Sequence, residues 1–162
     1  MFRILSKAAL IGLASLCLLT SCQSASNAPC ESTPVTTKAP DEEITQLSQF
    51  IESSRIKATF DKRGFYYTIQ NPGSGEKPTV CTTVSVNYDG KLTNGTRFDS
   101  GQDVKFGLYQ LIVGWQEGIP LIAPGGRITL YLPPSLAYGD QEQRDIPANS
   151  ILVFQIDLLT IH

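Results

Sequence analysis

The sequence of 162 residues predicts an α+β domain: a curved antiparallel sheet with a single short helix on its concave side and an extra helix ahead of it. Three observations predict it. From Phe65 onward, apolar residues recur with period two in four separate stretches, the pattern of strands with one buried face. One stretch between them, Ile112 to Ile122, changes to helical spacing. Asn94-Gly95 is the strongest short hairpin signal in the chain, because both central residues of a type I′ turn need positive φ.

The elements follow in chain order. Arg3 and Lys7 precede an apolar run, Ala8 to Leu19, that is short for a membrane span and ends in Leu19-Thr20-Ser21-Cys22. This resembles a bacterial lipoprotein signal, which implies cleavage before Cys22 and lipid on its thiol; an ordinary secretory signal is the plainer alternative. Residues 1–21 are expected to be removed. Their loss takes away two of thirteen basic residues and none of fifteen acidic ones, leaving a net charge of −4 on 141 residues, enough for one domain with a core. Residues 22–40 are rich in Ser, Thr, Pro and Ala and poor in large apolar side chains, so they read as a tether. The eighteen residues 23–40 span roughly 25 Å as a flexible chain.

Asp41-Glu42-Glu43 reads as an N-cap and acidic first turn, and Ile44, Leu47 and Ile51 recur at helical spacing, so an amphipathic helix is expected over 42–55, within a segment bounded at 41–57. Its apolar stripe is narrow, and it needs the main domain or a partner to lie against. The main domain runs from 58 to 162. Its strand candidates are 65–70, 80–88, 127–132 and 151–160. In the last, Leu152, Phe154, Ile156 and Leu158 share one face. The Asn94-Gly95 turn joins Lys91-Leu92 to Arg97-Phe98. In the helical stretch Ile112, Trp115, Ile119 and Ile122 align and Pro124-Gly125-Gly126 ends the run. Pro120 within it is tolerated only near a first turn, so a later start is expected there.

Composition removes several chemistries. The single histidine, His162, stands at the last position, where fraying is expected, so a Ser-His-Asp triad, a Cys-His pair or a histidine-held metal has no usable imidazole. No P-loop or GxGxxG opens a helix, and no run of Lys and Arg suited to phosphates remains, which argues against nucleic acid. After the signal is removed and Cys22 lipidated, Cys30 and Cys81 remain: too few and too scattered for a metal site. An oxidising compartment permits them to pair, but Cys30 sits in the tether and one pair is no scaffold, so two free thiols are expected. What is left is an aromatic endowment on the concave face: Tyr88, Phe98, Phe106, Trp115, Tyr138 and Phe154. Each alone reads as core. The polar tips of Tyr88 and Tyr138, and the carboxylate of Asp99, need partners if buried.

The motifs VNYDGKL (86–92), RFDSG (97–101), LIVGWQEG (111–118), LAYGD (136–140) and IPANSILVFQIDLL (146–159) resemble, in order and nearly in spacing, those of FKBP-type peptidyl-prolyl cis-trans isomerases. The likeness covers roughly residues 65–161, and the helix and tether before it resemble the extensions of membrane-anchored bacterial lipoprotein members. It implies a half-barrel wrapped over one short helix, and a cleft lined by Tyr88, Phe98, Asp99, Phe106, Leu111, Ile112, Trp115, Tyr138, Ile146 and Phe154. Of these, Tyr88, Phe98, Asp99, Trp115, Tyr138 and Phe154 are expected to act on the reacting amide, with Trp115 as floor; Phe106, Leu111, Ile112 and Ile146 are expected to bind substrate. The Tyr138 hydroxyl and Ile112 N–H would meet substrate carbonyls, and Asp99 would anchor the Tyr88 hydroxyl.

The implied reaction is isomerisation of Xaa-Pro bonds in envelope or secreted proteins, without cofactor or metal. The rival is a catalytically weak module of the same family that binds proline-containing envelope partners. Macrolides of the tacrolimus and rapamycin type are expected as inhibitors. The implied location is the cell envelope, anchored through lipid on Cys22; Gln23 in place of an aspartate leans towards the outer membrane. The sequence departs from the best-known eukaryotic members in three places. The segment from Asp99 to Phe106 is shorter, with Val104 where those members often carry another cleft phenylalanine. It holds no arginine to pair with Asp99, only Lys105. The loop Asp140–Asp145 is charged. These differences bear on substrate preference and drug affinity more than on fold.

Overall fold

The computed structural model describes Cys30 and residues 37–162. The expected signal peptide, Cys22 and most of the expected tether lie outside the described residues. Six strands form one antiparallel sheet in the order β1-β2-β5-β6-β3-β4: β1 Thr59–Phe60, β2 Tyr66–Asn71, β3 Thr83–Leu92, β4 Arg97–Gly107, β5 Arg127–Leu132 and β6 Leu152–Ile161. The two edges, β1 and β4, do not pair with each other, so the sheet stays open. Helix α1 (Asp41–Ser53) precedes it, and α2 (Val113–Gly118) lies between β4 and β5.

In β5 and β6 the buried faces follow the period-two pattern, whereas in β2 Ile69 is exposed and in β3 Ser85 is buried along with Val84 and Val86. Ile128, Leu130 and Leu132 of β5 and Leu152, Phe154, Ile156 and Leu158 of β6 point into the main core with Phe65, Val84, Val86, Leu108 and Ile119. Helix α2 closes over this face. Gly114 and Gly118, one turn apart, lie so near β5 that a Cβ on either would strike the side chain of Leu132 or Leu130. That close approach sets Trp115 down onto the sheet.

The expected later start of the central helix is not what the chain does. It starts at Val113 and stops at Gly118, and Pro120 falls in a 3-10 turn, Ile119–Leu121. Proline has no N–H to give the carbonyl four residues back and its ring crowds that carbonyl, so the helix tightens there instead of continuing. The type I′ turn expected at Asn94-Gly95 is also not formed. Only Gly95 has positive φ, 85°. Leu92 N–H donates to the Thr96 carbonyl and Gly95 N–H to that of Leu92, which makes a three-residue loop with glycine at its left-handed position. The Asn94 side chain instead accepts from Thr96 N–H at 2.9 Å.

Strand β4 is much longer than the sequence suggested. It pairs with β3 from Arg97 to Gly107, but the register shifts between Val86 and Tyr88, and Asp103 takes φ 49° with its N–H on the Asn87 side-chain oxygen. A bulge of this kind breaks the alternation by which a strand is recognised.

Helix α1 finds its partner in the domain itself. Leu47 and Ile51 are buried with Tyr131 on the face of the sheet opposite α2, beside Tyr66, Ile151 and Val153. Tyr131 lies between the core-facing Leu130 and Leu132 and so on the opposite face, and this packing is why it is only 8% exposed. The helix is capped by Pro40, without a side-chain cap bond, and not by Asp41; Asp41, Glu42 and Glu43 all lie in its first turn. The chain is already held at Ala39, buried and donating its N–H to the Arg63 carbonyl at 2.8 Å.

Cys30 and Cys81 are joined by a disulfide, with Cα atoms 5.5 Å apart, which corrects the expectation of two free thiols. The physical reason is the early anchorage. Cys30 lies nine positions before Ala39, at most ~30 Å of extended chain, so Cys30 stays within reach of the turn before β3 that carries Cys81. The last residue is pinned as well and does not fray: His162 N–H donates to the Thr83 carbonyl and its ring lies 3.0 Å from the Ser85 hydroxyl.

Candidate active site

A cleft of about 180 Å³ opens between α2 and the strands beneath it, lined by Tyr88, Asp99, Phe106, Leu111, Ile112, Trp115, Tyr138 and Phe154. The residues come from three strands, α2 and two connecting segments. Strand β3 gives Tyr88; β4 gives Asp99 and Phe106; the turn before α2 gives Leu111 and Ile112. Helix α2 gives Trp115, the loop after the Pro134–Leu136 turn gives Tyr138, and β6 gives Phe154.

Trp115 is the floor. It is 4% exposed, and three rings stand nearly perpendicular to its indole: Tyr88 at 5.3 Å and 77°, Phe106 at 6.0 Å and 87°, and Phe154 at 5.2 Å and 90°. Edge-to-face contacts of this kind contribute about 0.5–1.5 kcal/mol each beyond burial. They also fix the walls at right angles to the floor, so the cleft is a shaped, apolar box and not a loose hydrophobic patch.

Its polar groups are the Tyr88 and Tyr138 hydroxyls, the Asp99 carboxylate and the indole N–H of Trp115, which is buried without a partner among the described residues. The Tyr88 hydroxyl donates to Asp99 Oδ2 at 2.9 Å, and Ser100 N–H donates to Asp99 Oδ1 at 2.8 Å. Burial, then the hydrogen bond to Asp99 and its negative charge, push the Tyr88 hydroxyl up to about 12. Tyr138, 37% exposed, is raised too, by burial first and by the charge of Asp99 second. Both phenols therefore stay protonated donors throughout the neutral range. Among the described residues no cation pairs with Asp99. The nearby cations serve Asp89, which Arg97 and Lys91 hold below the usual carboxylate range.

The turn before α2 presents Ile112 as its cap. The Ile112 carbonyl accepts from Trp115 N–H at 2.9 Å and Gln116 N–H at 3.2 Å, whereas its own N–H has no partner among the described residues. Gln116 was not singled out by the sequence. Its amide reaches back to the Leu111 carbonyl at 2.7 Å and braces that turn; an amide placed one helical turn after the cap is the signal that points to it.

Two expected lining residues stand beside the cleft. Phe98 packs edge-on against Phe154, centroids 5.4 Å apart. Ile146 is buried in the core and closes the base of the charged 140–145 loop through reciprocal backbone bonds with Gln143, 2.9 and 3.0 Å. A larger depression of about 530 Å³ lies over Asn87, Asp89, Gln155 and Asp157. Its carboxylates are already paired, Asp89 with Arg97 and Asp157 with Arg127, so it offers no comparable chemistry.

An open antiparallel sheet over one short helix, with an aromatic cleft floored by tryptophan, defines a class of protein before any comparison. The family model for FKBP-type peptidyl-prolyl cis-trans isomerases matches residues 74–159. The chain belongs to that family. It is 42% identical over 110 residues to FKBP-type peptidyl-prolyl cis-trans isomerase FkpA of Aeromonas hydrophila, covering 65% of this chain and 40% of that protein. Among solved structures it is similar to FkpA from Escherichia coli, with TM-score 0.67 and 35% identity over 75% of this chain and 60% of that one. It is also similar to a peptidyl-prolyl cis-trans isomerase of Pseudomonas syringae pv. tomato, with TM-score 0.66 and 30% identity over 77% and 98%. The chain spans 40% to 48% of the length of three curated FkpA relatives it matches.

Proposed function

We propose that the chain is a peptidyl-prolyl cis-trans isomerase acting on proline-containing segments of envelope or secreted proteins. The observation that carries this reading is the set of three rings standing edge-on over Trp115, in a cleft that holds the Tyr88 and Tyr138 side chains and Ile112. Rotation about an Xaa-Pro bond breaks amide resonance against a barrier of about 18–20 kcal/mol and makes or cuts no bond. A nucleophile is not needed. What lowers the barrier is a site that holds the twisted amide better than either planar form. A planar amide is the more polar, so transfer from water into aromatic walls disfavours it relative to the twisted state. In this reading the proline ring stands on Trp115, the Ile112 N–H and Tyr138 hydroxyl hold flanking carbonyls, and Asp99 fixes Tyr88 and presents negative potential to the amide. Macrolides of the tacrolimus and rapamycin type would occupy the same cleft.

The location rests on the sequence alone: residues 1–21 as a signal, lipid on Cys22, and residues 58–162 as the isomerase domain. Cys22→Ser should release the protein from membranes into the soluble fraction; membrane association equal to wild type would remove the lipid reading. One observation favours the rival, a weakly catalytic binding module, namely that among the described residues Asp99 pairs with no cation and accepts only from Tyr88 and Ser100. A protease-coupled assay on Xaa-Pro tetrapeptides, using the chain from residue 23, separates the two. Acceleration over the uncatalysed rate supports the isomerase; none, alongside binding to an unfolded client, supports the module.

A further inference from the structure

We propose that Glu43 of α1 is a positioning residue for the cleft, holding in place the turn that carries Tyr138; this rests on the reading of the cleft given above. After β5 the chain runs Leu132-Pro133-Pro134-Ser135-Leu136-Ala137-Tyr138. Neither proline has an N–H, so the Ser135 amide is the first donor after Leu132. It lies in the opening of the 3-10 turn Pro134–Leu136, where an amide finds no partner inside the turn itself. The Glu43 carboxylate supplies one: Ser135 N–H donates to Glu43 Oε2 at 2.9 Å, across 92 positions of sequence. The Ser135 hydroxyl, buried and without a partner among the described residues, takes no part in this tie.

The turn passes that anchorage to Tyr138. Ala137 N–H and Gly139 N–H both donate to the Pro134 carbonyl, at 2.9 and 2.8 Å, and Asn149 N–H donates to the Gly139 carbonyl at 2.8 Å. Tyr138 is thus held between two anchored amides. Tyr138 is 37% exposed, so packing alone restrains it weakly. Glu43 is itself well placed to hold. It is half-buried where Asp41 and Glu42 are exposed, it sits in the first turn of α1 where the helix dipole favours a carboxylate, and Leu47 and Ile51 fasten α1 to the sheet. The matched family region, 74–159, does not include α1. The element that backs the Tyr138 loop comes from the chain's own N-terminal segment.

The test compares Glu43→Ala, Glu43→Gln and, as a control, Glu42→Ala in the intact chain, below the melting temperature of each. Glu43→Ala should lower kcat/KM about tenfold, mostly in kcat, as misplacement of a contacting group does. It should also speed exchange of the Ser135 amide and shift the Tyr138 amide resonance. Glu43→Gln keeps an oxygen that accepts the same N–H and should restore kcat/KM to within about twofold and return the resonance. Glu42→Ala should match wild type. Wild-type kcat/KM and an unmoved Tyr138 resonance in Glu43→Ala would overturn the proposal, as would a Glu43→Gln as impaired as Glu43→Ala. If the wild-type chain shows no isomerase activity, the proposed function fails, and the Tyr138 resonance decides alone. A shift in Glu43→Ala that Glu43→Gln reverses sustains the role of Glu43, and no shift removes it.

Discussion

The Tyr88 hydroxyl on β3 donates to the Asp99 carboxylate on β4 at 2.9 Å, across the hairpin that Gly95 turns. The pair ties the rim of the cleft together and gives it a titration signature. The folded Tyr88 pKa, about 12, lies above its ordinary value of 10.0. The unfolded chain therefore releases this proton first, and Tyr88 contributes stability that is full below pH 10 and is lost as pH rises towards 12. A spectrophotometric phenol titration should show one tyrosine ionising near 12. In Asp99→Ala its midpoint should fall but stay above 10, because burial, the largest cause, remains.

Asp99→Ala and Tyr138→Phe each remove one rim hydrogen-bonding group without touching the core. A neutral hydrogen bond is worth about 0.5–1.5 kcal/mol and one to a charged group about 1.5–3, so on Xaa-Pro peptides Tyr138→Phe should lower kcat/KM roughly two- to tenfold and Asp99→Ala roughly ten- to a hundredfold. Both side chains lie at the surface end of the cleft, and stability should change by no more than about 0.5 kcal/mol for Tyr138→Phe. Wild-type rates in both variants would remove these residues from the site.

Leu47, fully buried beneath Tyr131, tests whether α1 belongs to the folding unit. Leu47→Ala should cost about 2–5 kcal/mol in denaturant unfolding, seen as a lowered midpoint of a single transition. A separate early transition for α1 would instead make it an independent appendage.

The Cys30–Cys81 bond closes a loop with a sequence separation of 51. In the chain-entropy model a loop of that length stabilises by about 4 kcal/mol. Cys81→Ser should lower the denaturation midpoint accordingly, and thiol alkylation of the unreduced, unfolded chain should label neither Cys30 nor Cys81.

Much of this architecture was readable from residue patterns, for reasons that also explain the rest. The strands β5 and β6 have one face of Ile, Leu and Phe buried against α2, and burial of one face is what alternation encodes. Strand β4 was not readable, because its bulge at Asp103 resets the period and its outward residues answer only to solvent. The turn at Asn94-Gly95 was placed correctly but given the wrong geometry, since Asn-Gly fits both a two-residue turn and the bulged three-residue loop. Of the cleft, the motifs located eight lining residues; Phe98 and Ile146 share those motifs but face neighbouring packing. The disulfide and the Glu43 tie escaped because both join residues distant in sequence, 51 and 92 positions apart, with nothing in the intervening composition to announce the contact.

The central claim is that the cleft turns over an Xaa-Pro bond and does not merely bind it. Exchange spectroscopy on a proline tetrapeptide, with no coupled protease, measures this directly. With the chain present in amounts far below the peptide, exchange cross-peaks should join the cis and trans resonances on a timescale where the free peptide, at tens to hundreds of seconds, shows none. Peptide resonances that shift or broaden with added chain, but never exchange, would contradict the account.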